Sequence, residues 1–336
     1  MNPSDPLSLV AQAWYPEGRD RSEQAIAERR VDARGAADLA YRELLVSDLA
    51  PPCMAVRAAS DLLERTGIAP TVIGTLFHAS VHYQGHDIWS APHYIAHELG
   101  TEAVPIGLDQ QCNGGAIGID LARYLPEPSL ITTADRFLPP SWDRWRSDFG
   151  MAAGDAATAI IAHRTTSLSV DLTLHAVATT VAPELEYMHR GADGFDTTPL
   201  GHGPTIDVRR PKRAFVRSYG IESFLKPAHQ AIRQAVIRSL SMSGLEPGDP
   251  RLRWAVLPRL GRRALADAYI PPLIQVTPTE LLDLGRDTGH LGAGDPNASI
   301  AELAAGDWLA PGQYALVLNG GGGFTFTSMI ISRPDR

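Results

Sequence analysis

Cys112 occupies the position in this sequence that most favours nucleophilic chemistry. It stands in LDQQCNGGAIGIDLARYL, residues 108–125, between a predicted strand and the first turn of a predicted helix. A thiol at that point faces the positive end of the helix dipole and unpaired backbone N–H groups, which stabilise the thiolate that attacks carbonyl carbons. The alternative is a small buried core thiol, which is the role that we predict for the other cysteine, Cys53.

Glycines at two places predict a close approach to this cysteine. Gly114 and Gly115 follow Cys112 directly, although glycine costs a helix up to about 1 kcal/mol relative to alanine, so we expect a backbone or a ligand to lie against them. The run NGGGGF, residues 319–324, leaves the predicted strand YALVL, and its N–H groups can face a developing oxyanion. We predict an oxyanion hole built from the backbone amides of Cys112 and Gly322. The run lacks the lysine and hydroxyl residue of a phosphate loop and does not fit the dinucleotide fingerprint.

A repeated pattern supplies the elements that position these residues. Each half contains a helix end, a glycine, a proline and then an apolar strand, so that Gly67 corresponds to Gly244 and Pro70 to Pro247, in both cases 177 residues apart. Alternating helices and strands predict an α/β fold in which helices cover both faces of the sheets, with the two halves related by a pseudo-two-fold axis. We expect an N-terminal half at 1–165, a connecting strand with pocket loops at 166–225, and a C-terminal half at 226–336.

The same repeat places a histidine where the first half has its cysteine. His290, in RDTGHLGAGDPNASIAELAAGDWL, follows Cys112 by 178 residues, so a pseudo-dyad between the two helix starts would bring thiol and imidazole together. Asp295 in the same glycine-rich turn can fix the tautomer of His290 and stabilise its imidazolium. We predict a triad of Cys112, His290 and Asp295. The alternative is that His290 caps a turn and Asp295 caps the helix that follows.

Composition and charge exclude several classes of protein. The chain has 336 residues, 44% of them hydrophobic, and a formal net charge of −8, which does not favour binding to nucleic acid. Two cysteines cannot form a disulfide framework, and the sequence contains neither a signal peptide nor a long apolar run. Arginine greatly outnumbers lysine, which indicates a GC-rich bacterial gene. We expect a soluble protein of the bacterial cytoplasm.

Five histidines fall close together and raise the question of a metal site. These are His78, His82, His86, His93 and His97. His93 and His97 are four residues apart on a predicted helix and can share a face, as zinc ligands do. No HExxH motif is present, and the other three lie on a strand end and a loop. We therefore favour roles in a pocket, an interface or the surface, and predict no metal.

Across essentially its whole length, the sequence resembles the β-ketoacyl-acyl carrier protein synthases of type III, in the thiolase superfamily. The resemblance is carried by the Cys112 helix, by AAGDAATAII, by the HLGAGD segment and by LAPGQYALVLNGGGGFTFTSMII. It implies a five-layered αβαβα sandwich, built from two pseudo-symmetric halves, that forms a homodimer. It also implies an acyl-cysteine intermediate and a phosphopantetheine arm that reaches Cys112 through a tunnel.

Two signatures of the condensing members of this family are altered here. Those members carry a histidine in a P-H-Q-A-N segment and an asparagine in an H-G-N segment, which together drive decarboxylation of a malonyl unit. Arg259, in LPRLGR, stands in place of that histidine, and His290 stands in place of that asparagine. The altered pattern resembles the ketosynthase III-like acyltransferases of antibiotic biosynthesis, which move acyl groups, often small aromatic polyketides, to a sugar or an aminocyclitol.

This resemblance implies a ping-pong acyl transfer. Cys112 would take a short or aromatic acyl group from a phosphopantetheine thioester, carried by an acyl carrier protein, a carrier domain of a polyketide synthase, or coenzyme A. His290, held by Asp295, would then activate a hydroxyl or an amine of a small-molecule acceptor. No resident cofactor is expected. Two alternatives stay open: a decarboxylative β-ketoacyl synthase III that forms a carbon–carbon bond, and a non-catalytic partner subunit.

Three arginines are candidates for docking an acidic carrier protein. Arg259, Arg262 and Arg263 fall near the predicted mouth of the tunnel, where positive charge would attract such a partner. The alternative is a solvated surface of no binding consequence, since exposed charges are common and worth little on their own.

Overall fold

The computed structural model describes residues 5–197 and 203–335. Strands within these ranges are β1 (Leu7–Trp14), β2 (Gly18–Arg21), β3 (Glu43–Val46), β4 (Thr75–Ala79), β5 (Val104–Leu108), β6 (Ser129–Asp135), β7 (Ala156–His163), β8 (Leu172–Val181), β9 (Leu252–Val256), β10 (Glu280–Leu282), β11 (Tyr314–Gly320) and β12 (Thr325–Ser332). Helices are α1 (Ser22–Ala27), α2 (Ala33–Leu39), α3 (Pro51–Thr66), α4 (Ala91–Leu99), α5 (Gly114–Leu121), α6 (Tyr187–Arg190), α7 (Arg209–Tyr219), α8 (Glu222–Ser243), α9 (Arg262–Ala264), α10 (Ile270–Ile274) and α11 (Asp295–Ala305).

Two sets of five strands share one order and one pattern of directions. The first set runs β1-β7-β6-β4-β5 and the second runs β8-β12-β11-β9-β10. In each set the last three strands are parallel to one another and the other pairs are antiparallel. Strands β1 and β8 also pair with each other, across Leu7–Leu9 and Leu172–Leu174. The two sets are therefore joined into one ten-stranded sheet, while β2 and β3 form a separate hairpin.

Helices cover both faces of each strand set and give five layers. Ile119 of α5 and Ile300 of α11 lie in one buried cluster with residues from both strand sets, so these two helices form the central layer. Helices α3 and α4 pack on the outer side of the first set, and α8 packs on the outer side of the second. The order is α-β-α-β-α, as predicted.

The glycines matched in the sequence repeat have the same structural role. Gly67 ends α3 with a φ of 66° and Gly244 ends α8 with a φ of 68°. Glycine adopts this left-handed conformation without the steric cost that a side chain would bring, and it is the usual way to end a helix. The equivalent helices of the two halves therefore end in the same way before the equivalent strands begin.

The predicted connecting segment, 166–225, includes a central strand of the fold. It contains β8, which opens the second strand set, followed by α6, α7 and the first turn of α8. The domain boundaries at 165 and 225 remain predictions. No helix in the described ranges combines the length and the apolar character needed to cross a membrane.

Candidate active site

Cys112 lies in a short 3-10 turn, Gln111–Asn113, that leads from β5 into α5. Side chains from the other half of the molecule hold this turn in place. The Nδ2 atom of Asn319 donates to the carbonyl oxygen of Cys112 at 2.8 Å and to Oδ1 of Asn113 at 3.1 Å. Asn113 in turn donates through its own Nδ2 to the hydroxyl of Thr327 at 2.8 Å. The backbone that carries the thiol is thus tied to β11 and β12.

The glycines after Cys112 allow the two central helices to meet. A Cβ atom added at Gly115 would lie 2.6 Å from the carbonyl oxygen of Ala293 and 2.6 Å from Oδ1 of Asn297. One added at Gly114 would lie 2.7 Å from Cβ of Ala79. All three distances are too short for a side chain, so the predicted steric role of these glycines agrees with the structure. Ala293 belongs to the turn that follows His290, and the close packing therefore brings the cysteine and histidine turns together.

The structure brings Cys112, His290 and Asp295 into one hydrogen-bonded line. The Nε2 atom of His290 lies 3.0 Å from Sγ of Cys112, and its Nδ1 atom lies 2.6 Å from Oδ2 of Asp295. The other carboxylate oxygen of Asp295 accepts a hydrogen bond from the backbone N–H of Leu291 at 2.7 Å. Asp295 is the first residue of α11 and does not cap that helix, whose N-cap is Gly294. Its side chain faces the imidazole instead.

The charges around His290 favour its protonated form. Burial of the imidazole opposes protonation, but the Asp295 carboxylate and the Cys112 thiolate on its two sides outweigh that cost and raise the pKa of His290 well above its ordinary value. An imidazolium beside Cys112 stabilises the thiolate in return. Cys112 therefore has a readily protonated imidazole within hydrogen-bond distance of its sulfur, which is the kind of environment in which cysteines act as nucleophiles.

Arg259 does not lie at a docking surface, contrary to the prediction. Its side chain is fully buried, and its guanidinium donates to the carbonyl oxygen of Leu284 at 2.7 Å, to the hydroxyl of Thr288 at 2.9 Å and to Glu302 at 2.8 Å. Its backbone N–H donates to Oδ2 of Asp295 at 3.1 Å. A buried guanidinium requires such partners. Arg259 therefore holds Asp295 through its backbone N–H group, and its buried side-chain charge is not accessible to a partner protein.

The other two predicted docking arginines are exposed. Arg262 and Arg263 lie on α9, beside α2. Arg263 is 3.3 Å from a carboxylate oxygen of Asp38 and 3.6 Å from one of Asp267. Their role in docking remains a prediction.

The glycine run packs against the turn that carries the cysteine. A Cβ atom added at Gly321 would lie 2.7 Å from the backbone nitrogen of Asn113, and one added at Gly322 would lie 3.8 Å from Cγ of Gln111. Within the glycine run, the N–H groups of Gly321 and Phe324 donate the turn hydrogen bonds. In the cysteine turn, the donor is the N–H group of Asn113. These bonds do not use the amides of Cys112 and Gly322, whose role as an oxyanion hole stays a prediction.

Asp135 supports the histidine turn and was missed by sequence reasoning. It ends β6, and its Oδ2 atom accepts a hydrogen bond from the N–H of Ala293 at 2.9 Å, while Oδ1 accepts from Val81 and His82 at 2.8 Å each. Burial raises the pKa of this carboxyl to about 7, against the opposing effect of the three N–H groups. A Cβ atom at Gly292 would lie 2.1 Å from Oδ2. An aspartate at the end of the strand-like segment SLITTAD, residues 129–135, was the available signal.

The clustered histidines are placed separately. His78 is buried between the hydroxyl of Thr132 and the side chain of Gln84, and burial lowers its pKa to about 4. His82 stacks on a neighbouring aromatic ring and His86 lies against another, while Nδ1 of His93 is 2.7 Å from the hydroxyl of Ser90. Within the described ranges, no three His, Cys, Asp or Glu side chains form a group that could hold a metal ion.

Cys53 is exposed, so the prediction that it is a buried core thiol was wrong. It lies in the first turn of α3, where Pro52 and Met54 on either side are buried against the fold. Cys53 therefore falls on the outer face of the helix, with its Sγ atom 3.7 Å from the hydroxyl of Tyr94.

Comparison with known proteins was made at the levels of sequence and structure. No family model and no curated protein matches the sequence. A solved structure named "ChlB3 [Aceyltransferase]" superposes with a TM-score of 0.86 at 27% identity, covering 98% of both chains. FabH from Pseudomonas aeruginosa, a 3-oxoacyl-(acyl carrier protein) synthase III, superposes with a TM-score of 0.73 at 16% identity, covering 98% of this chain and 99% of that one.

A third solved structure has the same fold. The 3-oxoacyl-[acyl-carrier-protein] synthase III from Aquifex aeolicus superposes with a TM-score of 0.74 at 15% identity, covering 97% of this chain and 99% of the other. Such agreement over nearly the full length of each chain confirms the architecture that the sequence motifs predict. The chain therefore has the thiolase-like fold of these structures.

Proposed function

We propose that this protein is an acyltransferase that moves an acyl group from a phosphopantetheine thioester, through Cys112, to a hydroxyl or amine of a small acceptor. The observation that carries the proposal is the placement of His290, with Cys112 at 3.0 Å on one ring nitrogen and Asp295 at 2.6 Å on the other. This is the arrangement of nucleophile, base and orienting carboxylate that acyl transfer needs. The similarity to ChlB3, whose name describes an acyltransferase, supports the same reaction class.

The first half-reaction would load the acyl group onto the cysteine. Nε2 of His290 holds the proton of Cys112, whose thiolate attacks the thioester carbonyl to form a new carbon–sulfur bond. The oxyanion would lie near the amides of Cys112 and Gly322, and the packing of the glycine run on the cysteine turn supports this assignment because it would keep these donors rigid. The bond to the pantetheine sulfur then breaks, and the leaving thiolate takes its proton from the imidazolium.

The second half-reaction would pass the acyl group to the acceptor. Once Cys112 is acylated it carries no charge, so one of the two anions that raise the pKa of His290 is gone. The imidazole can then accept the proton of an acceptor hydroxyl or amine as that group attacks the acyl carbonyl. The carbon–sulfur bond breaks, and Cys112 returns as a thiolate beside the newly formed imidazolium. Proton and charge balance are restored without any further group.

The position of Arg259 argues against a condensing enzyme. In condensing relatives, a histidine at the equivalent position acts together with an asparagine on the malonyl unit. Here the guanidinium is held by Glu302 and two other acceptors in the core, and the ring nitrogen of His290 contacts the cysteine sulfur. We therefore rank decarboxylative carbon–carbon bond formation second and a non-catalytic partner subunit third.

The surface near α9 supports an acyl carrier protein as the molecule that delivers the acyl group. Helix α2, which contacts α9, also lines a cavity of about 510 Å³. This cavity is rimmed by four more arginines, namely Arg29, Arg34, Arg146 and Arg209. Such a cluster suits the phosphate of pantetheine and an acidic carrier. Coenzyme A carries the same pantetheine arm and is the alternative donor.

The open edge of the sheet supports the predicted homodimer. Strand β5 is the last in the strand order, so one of its edges has no neighbouring strand among the described residues. Val104 at its start is 62% exposed. An open strand edge presents unpaired N–H and C=O groups that can pair with another chain, and a second copy of this protein would cover it.

Intact-mass spectrometry tests the proposal. Incubation with a benzoyl or acetyl N-acetylcysteamine thioester should add the mass of the acyl group to Cys112, and Cys112→Ala should abolish the adduct. His290→Ala should still be acylated, slowly, and should fail to pass the group to an alcohol or amine. If no thioester acylates Cys112 while a control thioesterase turns over, the chain is a non-catalytic partner. Release of carbon dioxide from a malonyl carrier protein, given acylated enzyme, would identify a condensing enzyme instead.

A further inference from the structure

Two buried polar residues, Asp135 and Asn319, occupy equivalent positions in the two strand sets. Strands β6 and β11, which carry them, are each third in the order of their set. The last residue of β4 pairs with the residue two positions before Asp135. The last residue of β9 pairs in the same way with the residue two positions before Asn319. The two side chains therefore start from the same point of the repeated fold.

Each of these residues bonds to the turn that follows the other strand set. Asp135 belongs to the first set, and its Oδ2 atom accepts a hydrogen bond at 2.9 Å from the N–H of Ala293, the middle residue of the 3-10 turn before α11. Asn319 belongs to the second set, and its Nδ2 atom donates at 2.8 Å to the carbonyl oxygen of Cys112, the middle residue of the 3-10 turn before α5. The two bonds thus cross between the halves in opposite directions.

The chemical type of each residue matches the groups that it holds. Asp135 faces three backbone N–H groups, that of Ala293 among them, and its two carboxylate oxygens accept from all three. Asn319 faces two oxygen atoms, the carbonyl of Cys112 and Oδ1 of Asn113, and its amide donates to both. Both side chains are fully buried, so a lost bond would leave its partner group unsatisfied.

The contact between Cys112 and His290 joins turns that follow different strand sets. Its length, 3.0 Å between Sγ and Nε2, is therefore set by where each turn lies relative to the other. The fit around the histidine turn is close, since a Cβ atom added at Gly292 would lie 2.1 Å from Oδ2 of Asp135. A misplacement of about 1 Å between reacting groups can cost about 10²-fold in rate. Holding each turn from the opposite set keeps the thiol and the imidazole within reach of each other.

We propose that Asp135 and Asn319 are a reciprocal pair of positioning residues, each of which holds the turn of the opposite strand set and so fixes the distance between Cys112 and His290. Neither residue touches the reacting atoms, and each acts through the turn that it holds. The use of this pair in acyl transfer rests on the proposed function. Its effect on the thiol does not, because Cys112 can be alkylated without any acyl donor.

Alkylation of the whole protein by iodoacetamide at pH 6 tests the pair, with exposed Cys53 as the internal reference. Asn319→Leu removes the donor without a change of charge, and Asp135→Asn keeps the shape but replaces one acceptor oxygen by a donor. Each should lower the ratio of the Cys112 rate to the Cys53 rate by at least about fivefold. The double variant should lower it little further, since the loss of one bond already moves Cys112 away from His290. Peptide mass spectrometry gives both rates.

The His290→Ala background shows whether the effect passes through the histidine. In that background, neither Asn319→Leu nor Asp135→Asn should change the ratio further. Thr180→Val is the matched control, because it removes a buried hydroxyl that donates to the carbonyl oxygen of Ala231 on α8 at 2.7 Å. It costs a buried hydrogen bond on the outer side of the second strand set and should keep the parent ratio.

Urea unfolding shows whether each variant is folded under the assay conditions. Asn319→Ser and Asp135→Ser, whose shorter side chains withdraw the bonding groups from the turns, replace any variant that is not. The inference is overturned if the variant at either position keeps the parent ratio, if the loss persists in the His290→Ala protein, or if Thr180→Val loses as much. A protein that shows the expected changes but transfers no acyl group would retain the positioning pair and refute the proposed function.

Discussion

The Nε2 atom of His290 lies 3.0 Å from the Sγ atom of Cys112, although the two residues are 178 positions apart in the chain. Cys112 lies in a short 3-10 turn and His290 lies just before another. Each turn leads into one of the two central helices. The contact exists because Gly115 has no side chain to keep those helices apart. Pairing a thiol with an imidazole therefore depends on the packing between the two halves and not on any local motif.

Cys112 should be alkylated faster than Cys53 at mildly acidic pH. Both thiols are accessible, Cys53 fully and Cys112 in part, but only Cys112 has an imidazolium beside it to stabilise the thiolate. We expect a rate ratio of at least about tenfold at pH 6 with iodoacetamide, since thiolate is the reacting species. Peptide mass spectrometry gives the rate at each cysteine. His290→Ala should bring the two rates together, and a ratio that survives this change would show that His290 is not the cause.

Asp295→Asn should reduce acyl transfer strongly while leaving the fold intact. The amide has nearly the same shape but no charge, so it no longer stabilises the His290 imidazolium or fixes its tautomer. Loss of the equivalent carboxylate in hydrolytic triads costs roughly 10⁴-fold in rate, and we expect a similar effect on kcat with little change in KM. Asp287→Asn is the matched control, because Asp287 lies in the same segment and pairs with exposed Arg42. Equal activity of the two variants would contradict the role of Asp295.

Much of the fold can be predicted from the sequence because the repeat has glycines at equivalent positions in its two halves. Gly67 and Gly244 end equivalent helices, and the offset between them locates His290 opposite Cys112 to within one residue. Conformation at these glycines is a local property that a single residue type reveals. The five layers follow from it, since two copies of one α/β unit can share their central helices.

Three residues whose surroundings depend on long-range packing were not predicted correctly. Arg259 stands among other arginines and looks like a surface residue, but its burial is decided by Glu302, 43 positions later in the chain. Asp135 supports a turn in the other half of the molecule, 158 positions away. Cys53 was misplaced because the pattern around it does not show which face of α3 packs on the sheet. In each case long-range packing, which one sequence does not reveal, decides the environment.

Arg259→Met should destabilise the protein by about 3 kcal/mol, since it removes a fully buried guanidinium and leaves the carbonyl of Leu284, the hydroxyl of Thr288 and the half-buried Glu302 without their donor. The double variant Arg259→Met with Glu302→Met should recover most of that loss, because both charges are then absent. Urea unfolding followed by circular dichroism measures each free energy of unfolding. Arg262→Met, an exposed neighbour, is the control and should change stability by no more than about 0.5 kcal/mol. A single variant as stable as the parent would refute the supporting role of Arg259.

Charge reversal at Arg262 and Arg263 should weaken the use of a carrier-bound donor. The paired change to glutamate should raise KM for an acyl carrier protein by about tenfold, because it replaces attraction by repulsion at the docking face. KM for an N-acetylcysteamine thioester should stay unchanged, since that donor has no carrier. Arg238→Glu, on the exposed face of α8, is the matched control. A parallel rise for both donors would indicate damage to the active site, and no rise for either would exclude this surface from docking.

Transfer from the acyl-enzyme should speed up as pH rises, with a midpoint below the pKa of His290 in the free enzyme. Burial lowers that pKa, while Asp295 and the Cys112 thiolate together raise it well above its ordinary value. Acylation removes the thiolate, so the pKa falls, and neutral imidazole, the form that can accept a proton, appears at lower pH. Single-turnover decay of the acyl-enzyme between about pH 5 and 10, in the presence of an alcohol, gives the pH midpoint of transfer. NMR titration gives the pKa of His290 in the free enzyme. A transfer midpoint at or above that pKa would contradict the mechanism.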